Sequence, residues 1–369
     1  MGVEMTAVQP RPGLLNIREH MIGAPAAAAP PAIHIGSNEC AFGASPRAYA
    51  AATAAVRDFS RYPEGGPEHL AAAIGKAWKL DPDRIACGNG SDDLLARLAR
   101  AFLRPGDELI CSINGYQKFP NYAHANDAIP VAVADNDFMA DVDAILAAVT
   151  PRTRIVMIAN PDNPTGSLLK ASEVRRLHAG LPGNVVLVLD SAYAEFATSA
   201  DFEMPDRLVE EFDNIVMTRT FSKVYGLAGA RVGWIYGPPT VIDAVKRIGI
   251  TFPLSGASLA AACAAVEDEA HMRHVIAETL RLRKAFSGKL SALGLKVYPS
   301  ETNFVLVRFP DPARAAMAAD RFLQSKGIMA RRFGAPNFTD FVRFTIGLEG
   351  EMTTTADVLA EFLAMEGVA

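Results

Sequence analysis

Residues 185–193 read VVLVLDSAY: an unbroken aliphatic run, Val185–Leu189, closed by Asp190. A strand with one wet face alternates apolar and polar residues. A continuous valine- and leucine-rich run instead fits a strand covered on both faces, as in a parallel sheet between helical layers. The same texture recurs at Leu109–Cys111, Ile129–Val133, Ile155–Ile158, Ile215–Thr218 and Val232–Tyr236. Helix-like stretches lie between these runs: Asp92–Phe102, Val142–Val149, Ala171–Ala179 and Thr240–Ile248. Strand–helix alternation over residues 45–255 predicts an α/β domain with a mostly parallel sheet sandwiched by helices.

Beyond residue 255 the texture changes. A helical region over Ser255–Leu293 contains the alanine-rich run Ala257–Val266, which reads as a buried helix. Strand-like runs Asn303–Arg308 and Phe341–Ile346 flank a helix over Pro312–Lys326, and a helix over Thr354–Met365 closes the chain. That pattern predicts a second, smaller α+β domain. Ala24–Pro31 (APAAAAPP) reads as a stiff linker behind an N-terminal arm.

Composition narrows the function classes. The 369 residues carry 36 Lys and Arg against 41 Asp and Glu, a net charge of −5, and half of them are hydrophobic. A disordered chain has the opposite balance. Cys40, Cys87, Cys111 and Cys263 are scattered, without disulfide-scaffold or metal-ligand spacing, and the histidines are dispersed, so no metal is expected. The mild acidity argues against nucleic-acid binding, which needs a basic footprint. Met1–Ile22 lacks a basic segment leading into an apolar one, and no apolar stretch approaches the roughly 20 residues of a membrane helix. A cytoplasmic protein with reduced thiols and no membrane partner is the expectation.

The residues able to do chemistry follow the strands, where open α/β sheets bind ligands. Asp190 ends one run, Asn160-Pro161-Asp162-Asn163-Pro164-Thr165-Gly166 follows another, and Ser222-Lys223 follows a third. Gly88-Asn89-Gly90-Ser91-Asp92 opens a helix. By itself it is an N-cap at Ser91 or a weak phosphate cradle, and it is no Walker loop because no Gly-Lys-Ser/Thr follows. Each alone is a turn, a cap or a surface lysine; their order is far more specific.

That order, with Arg61-Tyr62-Pro63, Asp190-Ser191-Ala192-Tyr193, Thr220-Phe221-Ser222-Lys223, Gly229-Ala230-Arg231-Val232-Gly233 and Val342-Arg343-Phe344-Thr345-Ile346-Gly347, resembles the fold-type I, pyridoxal-phosphate-dependent aminotransferases. Within them it is most similar to the histidinol-phosphate aminotransferase group, from about residue 10 to the C-terminus. The resemblance implies a large cofactor-binding domain over residues 45–255. It also implies a small domain built from residues 1–44, including the N-terminal arm, and 256–369. Lys223 would hold the aldehyde cofactor covalently, and Asp190 would keep its pyridine nitrogen protonated. Asn163 and Tyr193 would donate to the ring's phenolic oxygen, and Tyr116 would lie against the ring. The phosphate would take the amides of Ser91 and Asp92, the Ser222 hydroxyl and the Arg231 guanidinium. Tyr62 would reach that phosphate from the neighbouring subunit, making the active site a property of a homodimer.

The implied reaction is a ping-pong transfer of an amino group from a small-molecule amino donor to a 2-oxo acid such as 2-oxoglutarate. Arg343 and Arg331 would grip the donor's anionic group, beside Asn163. The group's Pro-Tyr pair in the N-terminal arm is replaced by Glu19-His20, so His20 is either a phosphate donor or a plain arm histidine. Cys40-Ala41 likewise departs from the pattern after Asn38-Glu39. Histidinol phosphate therefore stands beside an aromatic amino acid as donor. A decarboxylase of a phosphorylated amino acid, and a non-catalytic ligand-binding α/β protein, remain open.

Overall fold

The computed structural model describes residues 8–17, 33–309 and 315–365. Its centre is a seven-stranded sheet. In chain order the strands are β1 (Ile85–Gly88), β2 (Glu108–Ser112), β3 (Ile129–Val133), β4 (Thr153–Ala159), β5 (Val186–Asp190), β6 (Ile215–Thr220) and β7 (Gly233–Tyr236). They lie in the spatial order β1-β7-β6-β5-β4-β2-β3. β7 pairs antiparallel with β1 and β6, and every other pairing is parallel. The expected strands are therefore present, and β1 is an addition: its Ile-Ala-Cys-Gly is too short and too poor in β-branched residues to read as a strand.

The helices in chain order are α1 (Pro46–Ala55), α2 (Gly66–Trp78), α3 (Ser91–Phe102), α4 (Phe119–His124), α5 (Val142–Ala147), α6 (Ala171–Gly180), α7 (Pro205–Glu211) and α8 (Pro239–Arg247). They continue with α9 (Gly256–Val266), α10 (Glu269–Ala292), α11 (Ala316–Ser325) and α12 (Glu349–Ala364). They cover both faces of the sheet. Leu187 and Leu189 of β5 enter a core with Leu70 and Ile74 of α2 and Leu177 of α6. Val186 and Val188 point the other way, into a core with Leu94 and Leu98 of α3 and Val245 of α8. An all-aliphatic strand is what two apolar faces require.

The region 255–293 is two helices. Asp268 breaks it by capping α10, its carboxylate accepting from the His271 amide at 3.2 Å. α9 joins the core on the α2 side of the sheet through Leu259, Ala262 and Val266. α12 starts five residues before Thr354, where the sequence suggested it: the Glu351 carboxylate accepts from the Leu348 amide at 2.6 Å and seats the first turn. A second, antiparallel sheet of β8 (Lys296–Val297), β9 (Phe304–Arg308), β10 (Arg331–Arg332) and β11 (Phe341–Thr345) has the order β8-β9-β11-β10. Its core holds Leu282, Phe286 and Leu359 of α10 and α12, with Ile33 and Ile35 from the N-terminal side. The short strand Ile33–His34 pairs with Ile328–Met329, so a segment from before the large sheet joins the small domain here. The linker at Ala24–Pro31 lies outside the described residues. Among those described, no helix is long and apolar enough to cross a membrane.

β7 presses against the start of α3. A Cβ added at Gly233 would lie 2.4 Å from the Ser91 amide nitrogen and 2.5 Å from the Gly90 carbonyl carbon, both backbone atoms. Gly233→Ala is expected to destabilise the cofactor-free protein by about 1–3 kcal/mol, the usual range for overpacking. Gly288→Ala, exposed on α10 with open space around it, is expected to stabilise by about 0.5–1 kcal/mol. Urea unfolding midpoints that move in opposite directions check the pair.

Candidate active site

β1, β2, β4, β5 and β6 all end at one edge of the sheet, because the only reversed strand is β7. Their ends line a cavity of about 360 Å³ with Ser91, Asp92, Tyr116, Asn163, Asp190, Tyr193, Ser222, Lys223 and Arg231. Every cofactor residue that the sequence placed on this chain's own site is there; Tyr62, expected to act from the neighbouring subunit, is not among them. A second cavity of about 510 Å³ shares Tyr116, Asn163, Tyr193 and Lys223, and adds Arg331 and Arg343. His20 lies outside the described residues.

One end of the first cavity is an anion cradle. α3 begins there, and its first amides have no partner within the helix. The cap is Gly90, at φ 81°, rather than Ser91, whose side chain makes no capping bond; Ser91 is the first helical residue. Glycine suits the position because φ 81° with ψ 167° is a conformation that side chains rarely adopt, and a Cβ there would also crowd the Arg231 guanidinium at 2.6 Å. Arg231 itself is left-handed, at φ 54°, and donates to the Ser222 hydroxyl at 3.2 Å and the Ala228 carbonyl at 3.1 Å. Two amides, a hydroxyl and a guanidinium suit a phosphate.

The other end is acidic. Asp190 is 6% exposed at the tip of β5 and accepts from the Thr218 hydroxyl at 3.0 Å. Desolvation lifts its carboxyl to about 7, against the pull of Thr218. Desolvation pushes the Lys223 ammonium down to about 8, and the cations Arg343 and Arg231 push the same way. Its Nζ donates to the Ser37 carbonyl at 3.3 Å. An amine with a reachable neutral form, a carboxylate and a phosphate cradle share one cavity. They can hold an aldehyde-bearing aromatic phosphate: covalent attachment at Lys223, a basic ring nitrogen at Asp190, and the anion at Ser91, Ser222 and Arg231.

Tyr116 is fixed from behind: its hydroxyl donates to Asp92 at 3.0 Å. Asp92 also accepts from Tyr122 at 2.9 Å and from the Lys118 ammonium at 2.9 Å. Burial alone would raise this carboxyl, but those donors hold it below its ordinary value. Lys118, Tyr122 and Thr218 escaped the sequence reading, because nothing in their spacing marks them. Asn38 was noticed only as part of a motif, yet it donates to the Tyr193 hydroxyl at 2.9 Å.

On the substrate side, Arg343 of β11 stands directly opposite Arg331 of β10. Arg343 donates to the Asn163 side-chain oxygen and, at 2.8 Å, to the Gly36 carbonyl. Desolvation pulls its guanidinium down to about 10. Tyr62 faces elsewhere: 74% exposed, it stacks on Phe252 at 4.1 Å, away from the cleft of its own chain.

Residues 30–359 match the model of the family described as aminotransferase class I and II. The chain is 46% identical over 360 residues to a histidinol-phosphate aminotransferase of Rhodospirillum centenum, covering 97% of this chain and 99% of that protein. Identity to the protein of the same name from Rhodopseudomonas palustris is 43% over 363 residues, covering 98% and 100%. Among solved structures, histidinol-phosphate aminotransferase from Sinorhizobium meliloti in complex with pyridoxal-5'-phosphate superposes with a TM-score of 0.84 at 33% identity, covering 90% of this chain and 91% of that one.

The lifted carboxyl has a signature in stability. A group whose folded pKa, about 7, exceeds its ordinary value of 3.8 binds its proton more tightly in the folded state. Its contribution to stability therefore falls as pH rises from near 4 to about 7, and is constant above. Asp190→Asn is expected to be more stable than the parent in the cofactor-free protein, by a margin that widens from pH 5 to about 7 and then levels off. Unfolding midpoints across that range check it; a margin independent of pH would mean that Asp190 does not titrate there.

Proposed function

The chain belongs to the class I and II aminotransferases and is a pyridoxal-phosphate-dependent transaminase; we propose that it moves an amino group between histidinol phosphate and 2-oxoglutarate. The observation that carries the choice of donor is the Arg331–Arg343 pair. Like charges directly opposite in an antiparallel ladder repel, and these two line the cavity that also holds Lys223. Such a pair is stable beside an anion, and a phosphate carries more charge than a single carboxylate. Relatives at 42–46% identity over nearly the whole chain bear the name histidinol-phosphate aminotransferase, which supports the same reading.

When bound, pyridoxal phosphate supplies the carbonyl that carries the amino group and the ring that takes up electrons from the substrate's α-carbon. The protein's part is positioning and proton transfer. Ser91, Asp92, Ser222 and Arg231 anchor the phosphate. Asp190, at the opposite end, would pair with the protonated ring nitrogen, whose charge would keep the carboxyl ionised. Asn163 and Tyr193 donate to the phenolic oxygen, and Tyr116 limits the ring's tilt. Lys223, with a pKa near 8, has a neutral fraction at physiological pH. It takes the proton from the substrate α-carbon and delivers it to the acceptor carbon. Arg343 and Arg331 hold the donor so that the α-proton faces Lys223.

A second copy of the chain belongs in this reading. Tyr62, Phe59 and Phe252, all exposed, line one apolar face of a groove that includes Cys263 and Leu259 of α9. A homodimer would cover that face and carry Tyr62 to the partner's phosphate cradle. Cytoplasmic amino-acid biosynthesis is the proposed setting.

A panel of amino donors tests the donor. Histidinol phosphate is expected to discharge the visible band of the cofactor-loaded enzyme in a single turnover, faster than phenylalanine, tyrosine or glutamate at equal concentration. Arg331→Gln should weaken histidinol phosphate about 10- to 100-fold, the loss of one charge-assisted contact. Faster discharge by phenylalanine would make the enzyme an aromatic transaminase. Carbon dioxide release without discharge would make it a decarboxylase. Lys223→Ala should abolish the covalently held visible band altogether, and an unchanged band would refute the lysine's role.

A further inference from the structure

Three groups of the cleft converge on one short segment of the N-terminal side. Arg343 donates to the Gly36 carbonyl at 2.8 Å, Lys223 to the Ser37 carbonyl at 3.3 Å, and Tyr193 accepts from the Asn38 side chain at 2.9 Å. Asn38 is 1% exposed and left-handed, at φ 56°, a conformation that asparagine tolerates better than most residues. We propose that Asn38 and Thr345 are positioning residues that aim the hydroxyl proton of Tyr193 into the cleft.

The direction follows from counting donors. The Thr345 hydroxyl accepts from the Asn38 backbone amide at 2.9 Å. Its single proton is then directed to the Asn38 side-chain oxygen, 3.1 Å away. With that oxygen taken, the amide nitrogen of the same side chain is what faces the Tyr193 oxygen. An amide nitrogen can only donate. Tyr193 therefore accepts on this side, and its own proton is free for an acceptor in the cavities it lines. The frame is rigid: the Asn303 amide group donates to the Asn38 carbonyl at 3.2 Å, and Thr345 is buried on β11. Without Thr345 the Asn38 amide could turn over, and Tyr193 would donate to it instead of to the cleft.

The inference deepens the transaminase reading and rests on it. A Tyr193 proton aimed at the cofactor's phenolic oxygen spreads the negative charge there. That lowers the pKa of the protonated nitrogen where Lys223 holds the cofactor. The charged groups that act on Tyr193 are Asp190, Asp162 and Arg343, with the Lys223 ammonium 5.6 Å from its ring; none of them changes in the variants below.

The test is the pH midpoint of the visible band of the cofactor-loaded protein. Thr345→Val is expected to raise it by about half to one pH unit, the scale of one hydrogen bond. Thr345→Ser should restore the parent midpoint. Tyr193→Phe should raise the midpoint on its own, and adding Thr345→Val to it should move nothing further. A folded Thr345→Val protein with the parent midpoint overturns the proposal, as does a shift of equal size in the Tyr193→Phe background. If Thr345→Val does not fold, Thr345→Ala removes the same hydroxyl without added bulk and carries the same two expectations. A parent protein without a titrating band would instead sink the cofactor reading itself.

Discussion

Holding several cations in one cleft without matching anions is costly, since an uncompensated buried charge is penalised by several kcal/mol. In a chain of net charge −5, Lys223, Arg231, Arg343 and Arg331 are nevertheless gathered at two joined cavities. Glu39, which lines the first cavity, offsets part of the charge on Lys223, and the other nearby carboxylates offset little. Asp92 is committed to Lys118 and two tyrosines, and desolvation keeps Asp190 half protonated near neutral pH. Backbone carbonyls take up part of the load: Ser37 for Lys223, Gly36 for Arg343 and Ala228 for Arg231. Carbonyl dipoles are weaker partners than anions. The cleft is therefore poised for anionic ligands, and local charge decides a function that net charge conceals.

Such a cleft needs a frame that does not yield to repulsion. Arg219 of β6, 1% exposed, is ion-paired with Glu195 and lies 4.2 Å from the Trp78 ring centroid and 5.4 Å from that of Trp234. Glu195 follows Asp190 and Tyr193; Arg219 precedes Ser222 and Lys223. The pair thus ties the two segments that carry the ring-facing and lysine-bearing groups. An apolar pair of the same shape could be as stable, so the ion pair's value here is in register rather than in net free energy. At the phosphate end, Asp93 plays a similar part. It takes two bonds from Arg97, at 2.9 and 2.6 Å, and one from the Asn89 amide at 2.8 Å, fixing the start of α3.

What was legible in the sequence was local. β5 could be read because both its faces are apolar, and the residue at its tip could be read only through the order of motifs around it, since alone an Asp there is as readily a turn. Lys223 and Arg231 stood out through close spacing within one loop. β1 was not legible, because four residues with a single β-branched side chain give no periodicity. Ser91 was taken for the cap because Gly90 offers no side chain, and the reason for that glycine, a backbone at φ 81° and ψ 167°, is not written in the residue types around it. Thr345 reads as an ordinary strand residue. Its bond to Asn38 spans 307 positions, and no one-dimensional pattern carries that distance.

β11 then has two tasks on one face. Arg343 and Thr345 are two residues apart in a strand, so their side chains point the same way. Arg343 reaches the substrate cavity, while Thr345 reaches Asn38 and, through it, Tyr193. In this arrangement the grip on a substrate anion and the charge state at Lys223 are set from the same strand. On the proposed reading, the small sheet is thus a second face of the cofactor site as well as the substrate's anchor, and the segment Gly36–Asn38 that Arg343, Lys223 and Tyr193 touch is the one that joins it.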